Sequence, residues 1–217
     1  MNNASSRQAI LNQIRRSLCR GPLPSAMVAG LESRLHQYRP HLQMQRGQGT
    51  LAELFVRNAT VVGASVEMAA STASVSTVIS AYLLARQWPA KVIVSGADLD
   101  WITGCTTLEV EKRIAGHGDH VVVTGVLAAI AETGTLVIPG SRERPSAALF
   151  LPEHHIAVVR SEQLFYQQEE VWPLLRAADD GFRAVHLITG PSKTADIEQT
   201  LQQGAHGPRS LHIILVA

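Results

Sequence analysis

Two polar clusters in the C-terminal half of the chain contain residue types that bind or transform small molecules. The first lies in VTGVLAAIAETGTLVIPGS, where the carboxylate of Glu132 precedes a Thr-Gly-Thr sequence. A carboxylate beside flexible backbone can act as a nucleophile, so Glu132 is a candidate catalytic residue. The ligand-binding candidates in this stretch are Thr124, Thr133, Gly134 and Thr135. The alternative is an ordinary turn, in which the threonines satisfy local backbone groups and the glutamate is solvated.

The second cluster lies in ITGPSKTADIEQTLQQGAHGP, close to the end of the chain and followed by a last apolar run. Its ligand-binding candidates are Gly190, Ser192, Thr194, Asp196 and His206. Hydroxyls and backbone amides of this kind suit a phosphate or a carboxylate, although the Walker A pattern is absent. The alternative is helix capping, because Asp196 and Gln199 fit a relaxed capping box and Gly204 suits a helix end.

Metal and thiol chemistry have weaker support in the sequence. His154 and His155 are adjacent in a predicted strand and therefore point to opposite faces of the sheet. His117 and His120 are close enough to share a turn, but no third ligand follows at a recognised spacing, so no metal site is predicted. The only cysteines are Cys19 and Cys105. Two separated thiols exclude an iron–sulfur cluster held by this chain alone, and no cofactor is predicted.

The composition indicates a soluble, cytoplasmic protein whose main partner is neither nucleic acid nor a membrane. The chain has 217 residues, 46% of them hydrophobic, which allows a sizeable core. Only 17% are charged and the net charge is +1, which argues against a polyanionic partner. The polar N terminus does not resemble a signal peptide, and the longest apolar stretch, Val121–Ala131, is too short to span a bilayer.

Hydrophobic periodicity predicts an α/β fold with two parts. Ser6–Leu18 has apolar residues at helical spacing and is followed by a Gly-Pro-Leu-Pro linker, so residues 1–49 are assigned to an N-terminal helical extension. Six later runs, rich in β-branched residues, are KVIVSG, DHVVVTG, GTLVIPG, HIAVVR, AVHLITG and SLHIILVA. Helical or turn segments separate most of them, including Glu162–Ala177 and Ile197–Gln203. This pattern predicts a three-layer domain over residues 50–217, with a largely parallel sheet covered on both faces.

Three segments of the chain carry a family resemblance. They are GVLAAIAETGTLVI, LFLPEHHIAVV and ITGPSKTADIEQTLQQGAHGPRSLHIILV, which together cover Gly125 to Val216. In this order they resemble the LUD family, and specifically its lactate utilization protein C group; the N-terminal helix also resembles that group. One departure is visible, because Gly125, Val126 and Leu127 stand where many relatives carry a more polar, Arg-Ala-Asp-like stretch. This departure weakens the case for a charged contact from that loop.

The resemblance implies a NagB/RpiA/CoA transferase-like fold and a place in a three-protein system that oxidises L-lactate to pyruvate. In that system the two partner proteins carry the iron–sulfur clusters, so this chain is expected to be the subunit without a cluster. One alternative is a stand-alone CoA transferase-like or sugar-phosphate-type enzyme, with Glu132 as the nucleophile. Another is a regulatory protein that binds a small carboxylate. The sequence leaves open whether the chain also pairs with a second copy of itself.

Overall fold

A computed structural model of the chain describes residues 3–36, 49–178, 182, 184–194 and 202–217. The chain divides into two compact units, Met1–Met44 and Gln45–Ala217. No helix in the described part of the chain is long and apolar enough to cross a membrane.

The described part of the first unit contains two helices, α1 (Asn3–Ser17) and α2 (Ser25–His36). The N-terminal helix predicted over Ser6–Leu18 is confirmed as α1. Two arginines, Arg15 and Arg16, lie in its last turn, where they complement the partial negative charge of the helix C terminus.

The second unit contains the remaining elements, which alternate between helix and strand over most of its length. In chain order they are α3 (Leu51–Val61), β1 (Ser65–Ala69), α4 (Val75–Ala85), β2 (Lys91–Val94), β3 (Glu109–Lys112), β4 (Val121–Gly125), β5 (Ala128–Ile130), β6 (Thr135–Pro139), α5 (Ser146–Phe150), β7 (His154–Arg160), β8 (Leu164–Phe165), α6 (Val171–Ala177), β9 (Val185–Ile188), β10 (Lys193–Thr194), β11 (Gln202–Gln203) and β12 (Ser210–Val216). Short 3₁₀ turns precede α4 and α6 and follow β2 and β7.

Six strands form the main sheet in the order β1-β12-β7-β4-β2-β3, and every neighbouring pair is parallel. Side chains of β7 alternate between its two faces, as the two-residue period of a strand requires. Ile156 and Val158 pack towards α4, whereas Ala157 and Val159 pack towards α3 and a second sheet. Both faces are therefore buried, which explains why these strands read as nearly continuous apolar runs.

The second sheet is smaller and has the order β8-β5-β6-β9. β5 and β6 form an antiparallel hairpin across the turn at residues 131–134, and β9 pairs antiparallel with β6. The outer face of this sheet is covered by α6 through Val171. The two predicted strands GTLVIPG and AVHLITG are present, but they lie in this sheet rather than in the parallel one. A four-residue connection can join antiparallel strands but is too short for a parallel crossover.

The three-layer α/β architecture with a largely parallel sheet is thus confirmed: α4 forms one layer, the main sheet the next, and α3 with the second sheet the third. The kinship to the NagB/RpiA/CoA transferase-like fold stays a prediction. Of the segment Glu162–Ala177, only its end is α-helical, as α6. The helical or turn segment predicted over Ile197–Gln203 differs at its C-terminal end, where residues 202 and 203 form the short strand β11 against β10. Residues 197–201 lie outside the described part of the chain.

Candidate functional site

The loop that follows β9 borders a cavity of about 450 Å³, here named the β9 cavity. Its wall is formed by β9, by the loops at residues 189–193 and 206–208, by the end of α5 and by the first residues of β7 and β12. The volume falls within the range of small-molecule sites. Three of the predicted ligand-binding residues line it, namely Gly190, Ser192 and His206.

The polar lining of the β9 cavity is basic. Its ionisable side chains are Lys193, His155, His186 and His206, and none of the described lining residues is acidic. Burial lowers the pKa of His155 to about 4, with a smaller contribution from the positive charge of Arg144. Burial also lowers the pKa of His186. These two imidazoles are therefore neutral hydrogen-bonding groups near pH 7, and Lys193 supplies the positive charge.

Lys193 is held at the cavity wall by a hydrogen bond from its Nζ to the backbone carbonyl oxygen of Val62, at 2.9 Å. The ammonium group has three hydrogens, so this bond leaves donors for a ligand. Across the cavity, Nε2 of His186 and Oγ of Ser146 lie 2.8 Å apart, which orients the ring. Sequence reasoning missed the contribution of Lys193 and His186, since one Lys in a polar loop and one His in a strand have no distinguishing spacing.

The two polar clusters of the sequence meet next to this cavity. A chain of hydroxyl contacts runs from Thr133 Oγ1 to Thr135 Oγ1 at 2.7 Å, and from there to Thr189 Oγ1 at 2.7 Å. Thr135 begins β6 and Thr189 follows β9, and the antiparallel register of these strands places the two residues side by side. Thr189 lines the cavity, so the first cluster reaches the ligand space through hydrogen bonds rather than directly.

One glycine from each cluster, Gly134 and Gly190, packs against the C-terminal end of α3 or its C-cap. Gly134 has a φ of +68°, and a Cβ there would overlap the backbone of Ala59. Gly190 has a φ of +82°, and a Cβ there would lie 2.6 Å from the carbonyl oxygen of Val62. Both positions require a left-handed backbone and close approach, which only glycine accommodates without strain. The structure therefore assigns Gly134 a packing role and places Gly190 at the cavity wall.

Glu132 lies in the hairpin turn and lines neither this cavity nor the second one described below. Its backbone is fixed on both sides, because its N–H donates to the carbonyl of Tyr166 at 2.9 Å and its carbonyl accepts from Nδ2 of Asn58 at 2.9 Å. The side chain is half-buried. Its role as a nucleophile stays a prediction.

Thr124 is fully buried on β4, where Oγ1 lies 2.8 Å from Nε2 of His155. It thus acts on the cavity only by orienting His155.

The backbone of Thr194 is part of β10, paired with Gln202. Asp196, the proposed cap or ligand-binding residue, lies outside the described residues. The loop itself is closed by backbone bonds from Ser192 to Pro208 and from Gly204 to Ser192, each 3.0 Å long.

A second cavity, of about 550 Å³, lies at the carboxyl ends of β2, β4 and β7. Its most buried charged residue is Arg144, whose Nη1 donates to both carboxylate oxygens of Asp98, at 3.1 and 3.0 Å, and to the carbonyl oxygen of Gly125 at 3.2 Å. A Cβ at Gly125 would overlap the Asp98 carboxylate, so this glycine makes room for the ion pair. Sequence reasoning missed this pair, although the carboxyl ends of parallel strands are where ligands collect.

The fold and the β9 cavity define an α/β protein with a small basic site beside a polar loop. Residues 119–216, which contain both polar clusters, match the family model of the LUD domain. This match, together with the similarity to proteins named lactate utilization protein C, confirms the LUD-family resemblance seen in the sequence.

Similar proteins include lactate utilization protein C of Deinococcus radiodurans, 33% identical over 131 residues, an alignment that covers 58% of this chain and 61% of that protein. Lactate utilization protein C of an Exiguobacterium species is 33% identical over 112 residues, covering 50% of this chain and 48% of that protein. The chain thus aligns with less than two thirds of these relatives' length. Among solved structures, a DUF162 family protein of Deinococcus radiodurans superposes with a TM-score of 0.59 at 23% identity, covering 78% of this chain and all of that one. This last similarity shows the shared fold.

Proposed function

We propose that the chain is a component of a system that oxidises L-lactate to pyruvate, and that it contributes a site for a small carboxylate. The similarity to proteins named lactate utilization protein C supports the metabolic role. The single observation that carries the ligand class is the charge of the β9 cavity, whose described lining has one lysine, three histidines and no acid. A site with this lining favours an anion over a cation.

A 2-hydroxy acid matches the groups that the β9 cavity offers. Lys193 can pair with the carboxylate, because its ammonium group is already positioned by the carbonyl of Val62. The neutral imidazole of His186 and the hydroxyl of Ser192 are hydrogen-bonding partners for the 2-hydroxyl or 2-keto oxygen. Charge-assisted bonds to the carboxylate supply more affinity than bonds to the neutral oxygen, so Lys193 is the main determinant of binding.

In this role the chain does not itself accept the electrons released by lactate oxidation. Oxidation of a 2-hydroxy acid to a 2-keto acid releases two electrons and two protons. The two cysteines of this chain, Cys19 and Cys105, are too few to ligate an iron–sulfur cluster alone. Two iron–sulfur partner proteins are therefore proposed to accept the electrons, with this chain as the subunit without a cluster.

Replacing Lys193 with Met tests the carboxylate site, because Met keeps the length of the side chain and removes its charge. We expect the purified wild-type chain to bind L-lactate or pyruvate in isothermal titration, and Lys193→Met to weaken that binding by about tenfold or more, the loss of one charge-assisted pair. Lys112→Met is the matched control, since Lys112 is also half-exposed but lies outside the β9 cavity.

The same variants test the metabolic role in a host that lacks its own lactate utilization protein C. Lys193→Met is expected to slow growth on L-lactate, whereas Lys112→Met should grow as the wild type does. Full growth of Lys193→Met on L-lactate would show that the β9 cavity is not needed for lactate utilization. Lactate oxidation by the purified chain without partners would instead refute the assignment of electron transfer to other proteins.

A further inference from the structure

Three potential metal ligands, His120, Glu153 and His154, form a cluster at the amino ends of β4 and β7. Nε2 of His120 lies 3.7 Å from Oε2 of Glu153, and Nε2 of His154 lies 3.9 Å from the same oxygen. The three ligand atoms lie within 4.8 Å of one another. The cluster is separate from the β9 cavity, because His154 and His155 point to opposite faces of β7 and only His155 lines that cavity.

The backbone brings these residues together from distant parts of the sequence. β4 and β7 are parallel, with Val121 opposite His154, so the residue before β4 lies beside the start of β7. The N–H of His154 donates to the carbonyl oxygen of His120 at 2.9 Å. The sequence did not predict this cluster, because His120 is more than thirty positions from Glu153 and His154 and only the strand pairing reveals their proximity.

The two imidazoles are held in place by their surroundings. The ring of Trp88 stacks on His154, with centroids 3.8 Å apart, and meets His120 edge-on at 5.0 Å. Nδ1 of His154 lies 2.7 Å from Oγ of Ser210, which leaves Nε2 as the atom that faces the cluster. A hydrogen bond at the second ring nitrogen is the usual support of a metal-ligating histidine.

We propose that His120, Glu153 and His154 bind a divalent transition metal ion, with Zn²⁺ as the expected occupant. Two imidazole nitrogens and one carboxylate oxygen form a ligand set that zinc accepts, with water in the fourth position. Ligands of a tetrahedral zinc ion lie roughly 3.4 Å apart. The two histidine–glutamate distances exceed this by a few tenths of an ångström, and the half-exposed Glu153 side chain can move by that amount. The two imidazole nitrogens, which lie within 4.8 Å of each other, must also move closer together when the ion binds. Mg²⁺ and Ca²⁺ prefer oxygen ligands and should not compete.

Titration of the untagged, chelator-treated full chain with ZnCl₂ tests this site. We expect one Zn²⁺ per chain, and a rise of roughly 5 °C or more in the melting temperature at saturating metal, because an ion that binds only the folded state stabilises it. MgCl₂ at the same concentration should leave the melting temperature unchanged. Substitution with Co²⁺ should give the visible absorption of a nitrogen- and oxygen-coordinated ion.

Two variants test proposed ligands and a third serves as the control. His120→Ala and Glu153→Gln alter partly exposed side chains, so both should fold, and each is expected to reduce Zn²⁺ affinity by about tenfold or more. His117→Ala removes an exposed histidine three positions from His120 and should bind Zn²⁺ as the wild type does. Absence of stoichiometric binding by the wild type, equal binding by all three variants, or an equal response to MgCl₂ would each overturn the proposal.

Discussion

At the scale of residues, Gly134 and Gly190 explain why the two polar clusters lie together. Both pack against the C-terminal end of α3 or its C-cap, and both have left-handed backbone conformations that a side chain would strain. The hydroxyl chain from Thr133 to Thr189 then links the hairpin turn to the loop after β9. The turn interpretation and the ligand interpretation of the first cluster are therefore compatible, since the turn supports a residue that lines the cavity.

Gly134→Ala should destabilise the second unit strongly. The added Cβ would overlap the backbone of Ala59, and its φ of +68° is unfavourable for alanine, so we expect a loss of at least about 2 kcal/mol in the free energy of unfolding. Urea denaturation measures this. Gly116→Ala is the control, because a Cβ at Gly116 meets no atom within 4 Å. A loss of only about 0.5 kcal/mol or less in the free energy of unfolding of Gly134→Ala would contradict the close packing of this turn.

At the scale of elements, apolar runs predicted which segments are strands but not which sheet each one joins. HIAVVR and SLHIILVA show no clear polar alternation in sequence, because both faces of the main sheet are buried and most positions are apolar. The short turn at residues 131–134 requires β6 to pair antiparallel with β5. β9 joins the same sheet only through its pairing with β6, which the sequence does not show. In the site, the loop residues Gly190 and Ser192 could be predicted from their chemistry. His186 and Lys193 could not, because only the folded chain shows that they face one cavity.

The N-terminal end of α3 is fixed by a complete capping box. Oγ1 of Thr50 accepts from the N–H of Glu53 at 3.2 Å, and the Glu53 carboxylate accepts from the N–H of Thr50 at 2.8 Å. Because α3 supports both glycine contacts, the stability of this helix matters for the β9 cavity.

Thr50→Ala should lower the free energy of unfolding by about 1 kcal/mol, the usual value of a threonine cap. Thr60→Ala in the same helix is the matched control. The hydroxyl of Thr60 donates back to the carbonyl of Val56 at 2.7 Å, an interaction that does not stabilise a helix. Equal losses in the two variants, measured by urea denaturation, would show that the capping box contributes nothing.

At the scale of the whole molecule, the main sheet separates two groups of histidines. His155 faces the β9 cavity, whereas His154 and His212 face the side of the sheet covered by α4. The ring of His212 stacks on Tyr82 with centroids 3.7 Å apart, and its Nδ1 lies 2.8 Å from Oγ of Ser65. The proposed carboxylate site and the proposed metal site therefore lie on opposite faces of one sheet, and each can be removed by substitution without touching the other.

The burial of His212 predicts that the protein loses stability in mild acid. Desolvation lowers the pKa of His212 to about 4, the positive charge of Arg86 adds to this effect, and only a bond with Ser65 opposes it. Glu67 lies 3.8 Å away, but the lowered pKa leaves the His212 imidazole neutral near pH 7, so the pair is not ionic there. In the unfolded chain the imidazole takes up a proton below about pH 6.5. Between that value and pH 4 the unfolded state binds more protons, so the free energy of unfolding must fall as the pH falls.

We expect His212 to contribute on the order of 2 kcal/mol to this loss, which is complete only near its folded-state pKa of about 4. His212→Asn keeps a partner for Ser65 and removes the titrating ring, so its free energy of unfolding should depend less on pH across this window, although its absolute stability is lower. His117→Gln alters an exposed histidine and should retain the wild-type slope. Urea denaturation at a series of pH values measures both slopes. A wild-type free energy of unfolding that stays constant from about pH 6.5 to 4, an unchanged slope in His212→Asn, or an equally reduced slope in His117→Gln would refute the assignment to His212.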